Sequence, residues 1–162
     1  MGVQKSAPSI KTLNFIITSK AFGYNDPIPN TYAYRGANAS PELSWSGAPA
    51  GTVTYTLILE DADADNFAHW VVYNIPTTMT FMAEGVPKKN LSTSAIMQGT
   101  NDMGNIGYDG PDPPKGTHRY FFRFYALDTR LDLPPGAKRE QVMQAMKGHI
   151  LGVTDHMGKY WK

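Results

Sequence analysis

The sequence predicts a mainly β protein, an antiparallel two-sheet sandwich with one or two short peripheral helices. Three segments carry this prediction, Val53–Glu60, His69–Ile75 and Arg119–Leu127, because each is rich in β-branched and aromatic residues over the length of a strand. In the first and third, side chains also alternate between two faces, as in a sheet strand. The chain has 162 residues, which fits one domain, and we expect residues 1–162 to form it.

The remaining predicted strands are shorter or less regular. LNFIITS (Leu13–Ser19) and PELSW (Pro41–Trp45) have strand-like composition, and HILGVTDHMGKYW (His149–Trp161) is predicted to be the last strand. Its two histidines, His149 and His156, are seven residues apart and would point to opposite faces of a strand. We therefore expect them to be structural.

One segment, Ala137–Gly148, has the pattern of a helix. It follows a Pro-Pro-Gly turn, contains no breaker before its last residue, and places Val142, Met143 and Met146 on one side. The closing Gly148 is typical of a helix end. Because the helix is short, we expect it to pack at the edge of the β core.

Composition argues against several classes of protein. A net charge of +1 without a strongly basic run disfavours a nucleic-acid-binding protein, which needs many phosphate contacts. The absence of cysteine excludes disulfides, thiolate nucleophiles and Cys-based zinc sites. No apolar run approaches the roughly 20 residues of a transmembrane helix, and the N-terminal stretch lacks a signal-peptide core. We expect a soluble cytoplasmic protein with no integral membrane association.

The longest irregular segment, Pro76–Thr117, is the first pointer to a functional site. It contains six glycines and a proline cluster near its end. Segments of this length without regular structure are uncommon in compact domains and tend to be functional.

The end of this segment, GYDGPDPPKGT, runs directly into the aromatic strand that contains His118. Its prolines stiffen the loop, and its glycines permit positive φ angles and exposed N–H groups that can bind an anion as a nest. Alternation places His118 on the same face as Tyr120 and Arg119 on the other. The alternative interpretation is a surface or capping histidine at a strand start.

A second polar stretch, EDADAD, lies between two of the predicted strands. If it stays extended, Asp61, Asp63 and Asp65 point roughly to one side. The alternative is a solvated acidic turn. A calcium loop is disfavoured because Asn66 and Val72 occupy the positions that require glycine and glutamate.

The two polar stretches point to one site when they are taken together. If the strands that begin near His69 and His118 are parallel neighbours, both imidazoles and Asp61 lie at one rim of the sheet. Two imidazoles, a carboxylate, Tyr120 and loop N–H groups describe a site for a small anion.

Three long and specific passages lie between Ser40 and Asp128: SPELSWSGAPAGTVTYTLILEDADAD, HWVVYNIP and GYDGPDPPKGTHRYFFRFYALD. They closely resemble the phosphatidylethanolamine-binding protein family in its compact bacterial and archaeal branch, which is related to eukaryotic Raf kinase inhibitor protein. The tail GHILGVTDHMGKYW also fits the short prokaryotic form. The resemblance implies two antiparallel sheets with a small pocket at one end that binds anions such as phosphate, acetate, phospho-head-groups and nucleotides.

The resemblance also implies which side chains form the pocket. The implied ligand-binding residues are Asp61, Asp63, His69, Gly107, Tyr108, Gly110, Pro111, Pro113, Pro114, His118 and Tyr120. This chain departs from the family in its first loop, which usually reads D-P-D-A-P and here reads D-A-D-A-D. We expect the loop without these two prolines to be less constrained, and Asp65 to add negative charge near the rim.

Arg119 predicts a structural ion pair. It lies on a face that is apolar from Phe121 onward, so a partly buried guanidinium there needs a carboxylate partner. The candidate is Asp63, and the pair would hold the two loops of the site together.

These observations favour a binding module for a small anion: phosphate, acetate or a phospho-head-group. Its affinity should fall as pH rises through the histidine range, near ~6–7. The alternative is a kinase or protease inhibitor that acts on a protein partner. That partner would contact Tyr24, Tyr32, Tyr34, Trp161 and residues 76–117.

An enzyme is the least expected class. A hydrolase would need a nucleophile paired with a base, and Ser40, Ser44 and Ser46 have no G-x-S-x-G context. Two histidines and a carboxylate could also hold a metal, but no H-E-x-x-H helix is present. We expect no catalytic residue, no metal and no cofactor.

Overall fold

The computed structural model describes residues 14–91 and 93–162 and contains two β-sheets and one short α-helix, which confirms the predicted mainly β fold. The expectations about the N-terminal stretch fall largely on residues 1–13, outside the described residues. The described strands are β1 Ile16–Thr18, β2 Asp26–Pro27, β3 Leu43–Ser46, β4 Thr54–Asp61, β5 Phe67–Pro76, β6 Phe81–Met82, β7 Met97–Gln98, β8 Thr117–Leu127 and β9 Ile150–Trp161. The helix is α1, Arg139–Met146, and a 3-10 turn spans Asn30–Tyr32. Within these ranges, no helix combines the length and apolar character needed to cross a membrane.

The two sheets enclose the main core. The larger sheet has the strand order β2-β9-β8-β4-β5-β7, and the smaller has the order β1-β3-β6. The pairings are antiparallel except that the two-residue β2 runs parallel to β9. Ile17 and Trp45 of the smaller sheet pack with Leu57, Val72 and Phe124 of the larger one.

The larger sheet is also covered on its other face. There, Ile58 and Val71 belong to a second apolar cluster with Val142 and Met146 of α1. β4 is consequently buried along its whole length, including its two terminal carboxylates. The expectation that the helix packs at an edge is wrong, because its apolar side covers a face of the sheet.

The topology brings the ends of three strands to one rim. β4 pairs with β5 on one side and β8 on the other, and Asp61 lies opposite both Phe67 and Tyr120. β5 and β8 therefore run in the same direction and begin where β4 ends. His69 and His118 consequently lie at one rim with Asp61. They do so across β4, not on neighbouring strands as the prediction assumed.

The long segment 76–117 contains the two short strands β6 and β7 and otherwise consists largely of turns and bends. Its later part runs back along β5. The Gly99 N–H donates to the Val71 carbonyl at 2.7 Å, and the Asp109 N–H donates to the His69 carbonyl at 3.0 Å. These bonds fix the loop beside the strand that carries His69.

Candidate functional site

A cavity of ≈ 170 Å³ lies at this rim of the sandwich. It is lined by Asp61, Ala64, Phe67, His69, Met103, Asp112, Pro113, Pro114, His118 and Tyr120. The aromatic, methionine and proline side chains give it apolar walls around a few polar groups. Such a low-dielectric setting strengthens the interaction of those polar groups with a bound charge.

His118 is held by the carboxylate that ends β4. Its Nδ1 lies 2.6 Å from Asp61 Oδ2, so Nδ1–H donates to a carboxylate that is itself 3% exposed. The other oxygen of Asp61 accepts the Asp63 N–H at 2.9 Å. Asp61 therefore fixes the ring of His118 and balances its charge when the ring is protonated, and Nε2 remains for a ligand.

His69 has a different partner, a backbone carbonyl. Its Nδ1 lies 2.9 Å from the Asp109 carbonyl oxygen, and the residue is 4% exposed. Burial lowers the pKa of the His69 imidazole below its usual value, and this effect exceeds the opposing influence of the Asp109 carbonyl and of the Asp61 and Asp109 charges. Burial therefore favours the neutral form of the His69 imidazole, so the ring is uncharged at neutral pH.

Tyr120 lies between the two imidazoles. Its ring contacts His69 edge-on, with centroids 5.4 Å apart, and stacks with His118 at 6.4 Å. The buried hydroxyl lies near the Asp61 carboxylate and the Asp112 backbone, yet it makes no hydrogen bond of good geometry to any described residue. Burial and the Asp61 charge raise the pKa of this hydroxyl, so it stays protonated and can donate to a ligand.

Asp109 was missed by the sequence reasoning, although it organises the loop behind His69. Its buried carboxylate accepts hydrogen bonds from the side-chain amides of Asn38, Asn101 and Asn105 at 2.8–2.9 Å. Burial tends to raise the pKa of Asp109, but the three amides and the Lys88 charge outweigh it and the pKa is lowered. This network holds the carbonyl that His69 contacts.

Two of the glycine amides that were expected to form a nest are already hydrogen-bonded within the protein. The Gly107 N–H donates to the Gly99 carbonyl at 3.3 Å, and the Gly110 N–H donates to Asn38 Oδ1 at 2.7 Å. Gly110 is instead required by packing, because a Cβ there would lie 1.9 Å from the Tyr32 carbonyl oxygen. These glycines therefore serve close approach of the backbone rather than anion binding.

Only part of the predicted Gly-Pro wall faces the cavity. Pro113 and Pro114 line it, whereas Gly107, Gly110, Tyr108 and Pro111 do not. The Tyr108 hydroxyl donates to the Tyr32 carbonyl at 2.6 Å, which ties the loop to the 3-10 turn. Pro111 lines an adjacent cavity of ≈ 140 Å³.

The acidic loop does not stay extended, so its three aspartates do not share one side. Residues 62–66 form turns, and Asp65 and Asn66 have positive φ angles of 52° and 56°. Asp63 turns away from the cavity, and its carboxylate binds Arg119. A proline could not replace Asp65 in this conformation, because proline fixes φ near about −65°.

The predicted ion pair between Asp63 and Arg119 is present. The guanidinium donates to both carboxylate oxygens at 2.9–3.0 Å, and the Arg119 backbone N–H donates to the same carboxylate at 2.8 Å. The expectation of partial burial was too strong, because the Arg119 side chain is 51% exposed. The hydrogen bonds of Arg119 lower the pKa of Asp63.

Four further lining residues were not predicted: Ala64, Phe67, Met103 and Asp112. Asp112 lies in the GPDPPKG motif, between prolines that the sequence reasoning did single out. It lines both this cavity and the adjacent one, and Arg35 Nε donates to its Oδ1 at 2.9 Å. Met103 lies in the long loop, where its sequence offers no signal of proximity.

Comparisons with known proteins agree with this architecture. The family model described as phosphatidylethanolamine-binding protein matches residues 18–161. A UPF0098 protein of Methanothermobacter thermautotrophicus is 47% identical over 146 residues, which cover 89% of this chain and 97% of the relative. A UPF0098 protein of Aquifex aeolicus is 42% identical over 149 residues, with coverage of 89% and 86%.

Two solved structures are similar over almost the whole chain. A phosphatidylethanolamine-binding protein homologue of Chlamydia trachomatis has a TM-score of 0.82 and 37% identity, and the match covers 93% of this chain and 99% of that one. Escherichia coli YbcL, described as a member of the mammalian family, has a TM-score of 0.85 and 27% identity, with coverage of 92% and 99%. The chain thus belongs to the phosphatidylethanolamine-binding protein family, as one of its prokaryotic members.

Proposed function

We propose that the chain is a binding module for a small anion, either phosphate, acetate or a phospho-head-group. The observation that carries the proposal is the convergence on one cavity of ≈ 170 Å³ of His69, His118 and the buried Tyr120 hydroxyl, which makes no hydrogen bond of good geometry to the described residues. A buried donor without a partner costs free energy, and a ligand oxygen in the cavity would remove that cost.

The two donors of the site differ in charge. Tyr120 supplies a neutral O–H group, and His118 supplies a positive charge when it is protonated, with Asp61 as its counter-ion. Hydrogen bonds from a charged donor to an anion are the stronger kind. His118 is therefore the main source of electrostatic attraction in this proposal.

Calorimetric titration with inorganic phosphate and with acetate tests the proposal over about pH 5.5–8.5. We expect affinity to fall as pH rises through the range in which histidines ordinarily titrate. His118→Gln should weaken binding about tenfold at the lower pH values and flatten the profile. His149→Gln is the control, because His149 pairs with Asp128 at the surface, outside the cavity. A flat profile in the unmodified protein contradicts the role of a charged histidine.

A second candidate function, inhibition of a kinase or protease, is favoured by exposed aromatic groups beside the site. Trp161 is 54% exposed and lines two cavities of ≈ 140 and ≈ 320 Å³, the first of which shares Asp112 and Pro113 with the anion site. Tyr24 and Tyr34 are exposed as well, but Tyr32 is buried and donates to Glu84, so it drops out of the predicted surface. Inhibition assays against kinases and proteases, with Trp161→Ala as the comparison, test this candidate.

The remaining expectations concern class and location. It stays a prediction that the protein is not an enzyme and needs no metal or cofactor. It also stays a prediction that the protein is located in the cytoplasm and binds no nucleic acid. Metal analysis of the purified protein and fractionation of the native cell address the metal and the location.

A further inference from the structure

We infer that the cavity selects an oxyanion that still carries a proton, such as hydrogen phosphate, over one that carries none, such as sulfate, because His69 acts as a hydrogen-bond acceptor. This inference rests on the proposed anion-binding function and specifies its ligand class. It assigns the acceptor role to the imidazole whose Nδ1 contacts a backbone carbonyl.

The geometry of His69 decides which ring nitrogen carries the proton. A carbonyl oxygen only accepts hydrogen bonds, so the 2.9 Å contact with the Asp109 carbonyl places a proton on Nδ1. In the neutral ring, Nε2 then bears a lone pair and no hydrogen. Because His69 lines the cavity and Nδ1 is occupied, Nε2 is the nitrogen available to a ligand.

The loop behind His69 holds in place the carbonyl group that fixes this tautomer. Asp109 contacts His69 twice, since its N–H donates to the His69 carbonyl at 3.0 Å and its carbonyl accepts from the ring. The Asp109 side chain is in turn held by Asn38, Asn101 and Asn105. The carbonyl therefore cannot turn away from the ring without breaking this network.

The groups that face His69 leave it neutral. Asp61 approaches from β4, Asp109 from the loop, and Tyr120 and His118 from β8. The two carboxylates favour the imidazolium, but burial outweighs them and lowers the pKa of His69. At a pH of about 7.5 the ring is therefore an acceptor.

The cavity thus offers both hydrogen-bond donors and acceptors to a ligand. Tyr120, and His118 when protonated, can donate, whereas the Nε2 lone pair of His69 and the Asp61 and Asp112 carboxylates can only accept. Hydrogen phosphate offers oxygens to the first group and its P–O–H to the second. Sulfate offers oxygens alone, so its oxygen would face the His69 lone pair without a proton between them.

The direct test compares inorganic phosphate with sulfate by calorimetry at a pH of about 7.5, where the two are tetrahedral ions of similar size and charge. We expect phosphate to bind about tenfold more tightly or better, because an unmatched buried acceptor costs about that factor or more. Equal binding, or tighter sulfate binding, overturns the inference while the proposed anion site stands. If neither ion binds, the inference is overturned, and the proposed function is overturned with it unless acetate binds.

Two variants test whether His69 is the source of the selectivity for phosphate over sulfate. Glutamine offers an N–H as well as an oxygen, so His69→Gln should bring the phosphate-to-sulfate affinity ratio towards one, chiefly by improving sulfate binding. His156→Gln is the matched control, because His156 is also buried with a carbonyl partner, that of Phe22, but lies outside the cavity. An unchanged ratio in His69→Gln overturns the assignment.

The variant Asp109→Ala tests whether the Asp109 side chain fixes the tautomer of the His69 ring. Long-range ¹H–¹⁵N spectra of the unmodified protein should show His69 with its proton on Nδ1. In Asp109→Ala that signature should give way to a mixture of tautomers, and the affinity ratio should fall with it. A retained Nδ1 tautomer with an unchanged ratio contradicts the role of the Asp109 network, and an Nε2 proton in the unmodified protein contradicts the inference.

Discussion

Two consecutive carboxylates at the end of β4 serve opposite faces of the larger sheet. Glu60 faces the α1 side, where Arg123 Nε donates to one oxygen at 2.7 Å and Arg139 Nε to the other at 2.9 Å. Asp61 faces the cavity, where it holds His118. The same chemical group thus ends in a closed ion cluster on one face and in an open site on the other.

The comparison of the two faces distinguishes polar groups that stabilise the fold from polar groups that are available to a ligand. Glu60 is matched by two guanidinium groups, and Arg139 connects it to α1. Beside Asp61, the buried Tyr120 hydroxyl has no hydrogen-bond partner of good geometry among the described residues. Matched polar groups contribute to folding, whereas groups left unmatched at a cavity are available to a ligand.

Removal of Glu60 should produce the largest effect on stability. Loss of one partner of a buried ion pair costs about 3–5 kcal/mol, and we expect Glu60→Ala to lie near the lower end because the Arg123 and Arg139 side chains are 31% and 21% exposed. Urea unfolding measures the change. Phosphate affinity of the folded protein should stay the same.

Asp132→Ala is the control for Glu60→Ala, because Asp132 is an exposed carboxylate in a loop. Its effect on the free energy of unfolding should be within about 0.5 kcal/mol. A loss of phosphate affinity in folded Glu60→Ala, without a loss of stability, would show that the two faces are not separated as described.

Tyr120→Phe should have the opposite signature. Removal of the hydroxyl takes away a donor to the ligand, so phosphate affinity should fall about tenfold. The free energy of unfolding without ligand should stay the same or rise, because a buried group without a partner disappears. Calorimetry and urea unfolding on the same preparation measure both quantities.

Tyr73→Phe is the matched control on the other face. The Tyr73 hydroxyl donates to the Pro134 carbonyl and accepts the Ala137 N–H, so its removal should lower the free energy of unfolding and leave phosphate affinity unchanged. If Tyr120→Phe were the less stable of the two variants, the Tyr120 hydroxyl would have a structural role.

The assembly of the site was predictable because strand alternation and topology act over long distances in a regular way. The positions of Asp61, His69, His118 and Tyr120 at one rim follow from which residues end β4 and begin β5 and β8. Arg119 could be assigned to the opposite side by the same rule.

The loops could not be predicted in this way. The left-handed conformations of Asp65 and Asn66 occur without a glycine, so the sequence left both an extended segment and a turn open for the loop that contains Asp63. Asp109 acts on His69 through a backbone carbonyl, which every residue possesses, so no residue type signals that contact. The Gly107 and Gly110 amides were expected to be free, but folding of the loop uses both.

The ion pair between Asp63 and Arg119 should give the smallest effect, because it lies at the same rim but is open to solvent. Arg119→Ala removes the guanidinium and keeps the backbone bond from residue 119 to Asp63, so we expect a small loss of stability that disappears in about 1 M salt. Asp63→Ala also removes the backbone bond and should cost more, with a remainder that salt does not abolish. Urea unfolding at low and high salt measures both variants. Equal, salt-insensitive losses would mean that this exposed pair behaves like the buried Glu60 cluster, and that exposure does not account for the difference between them.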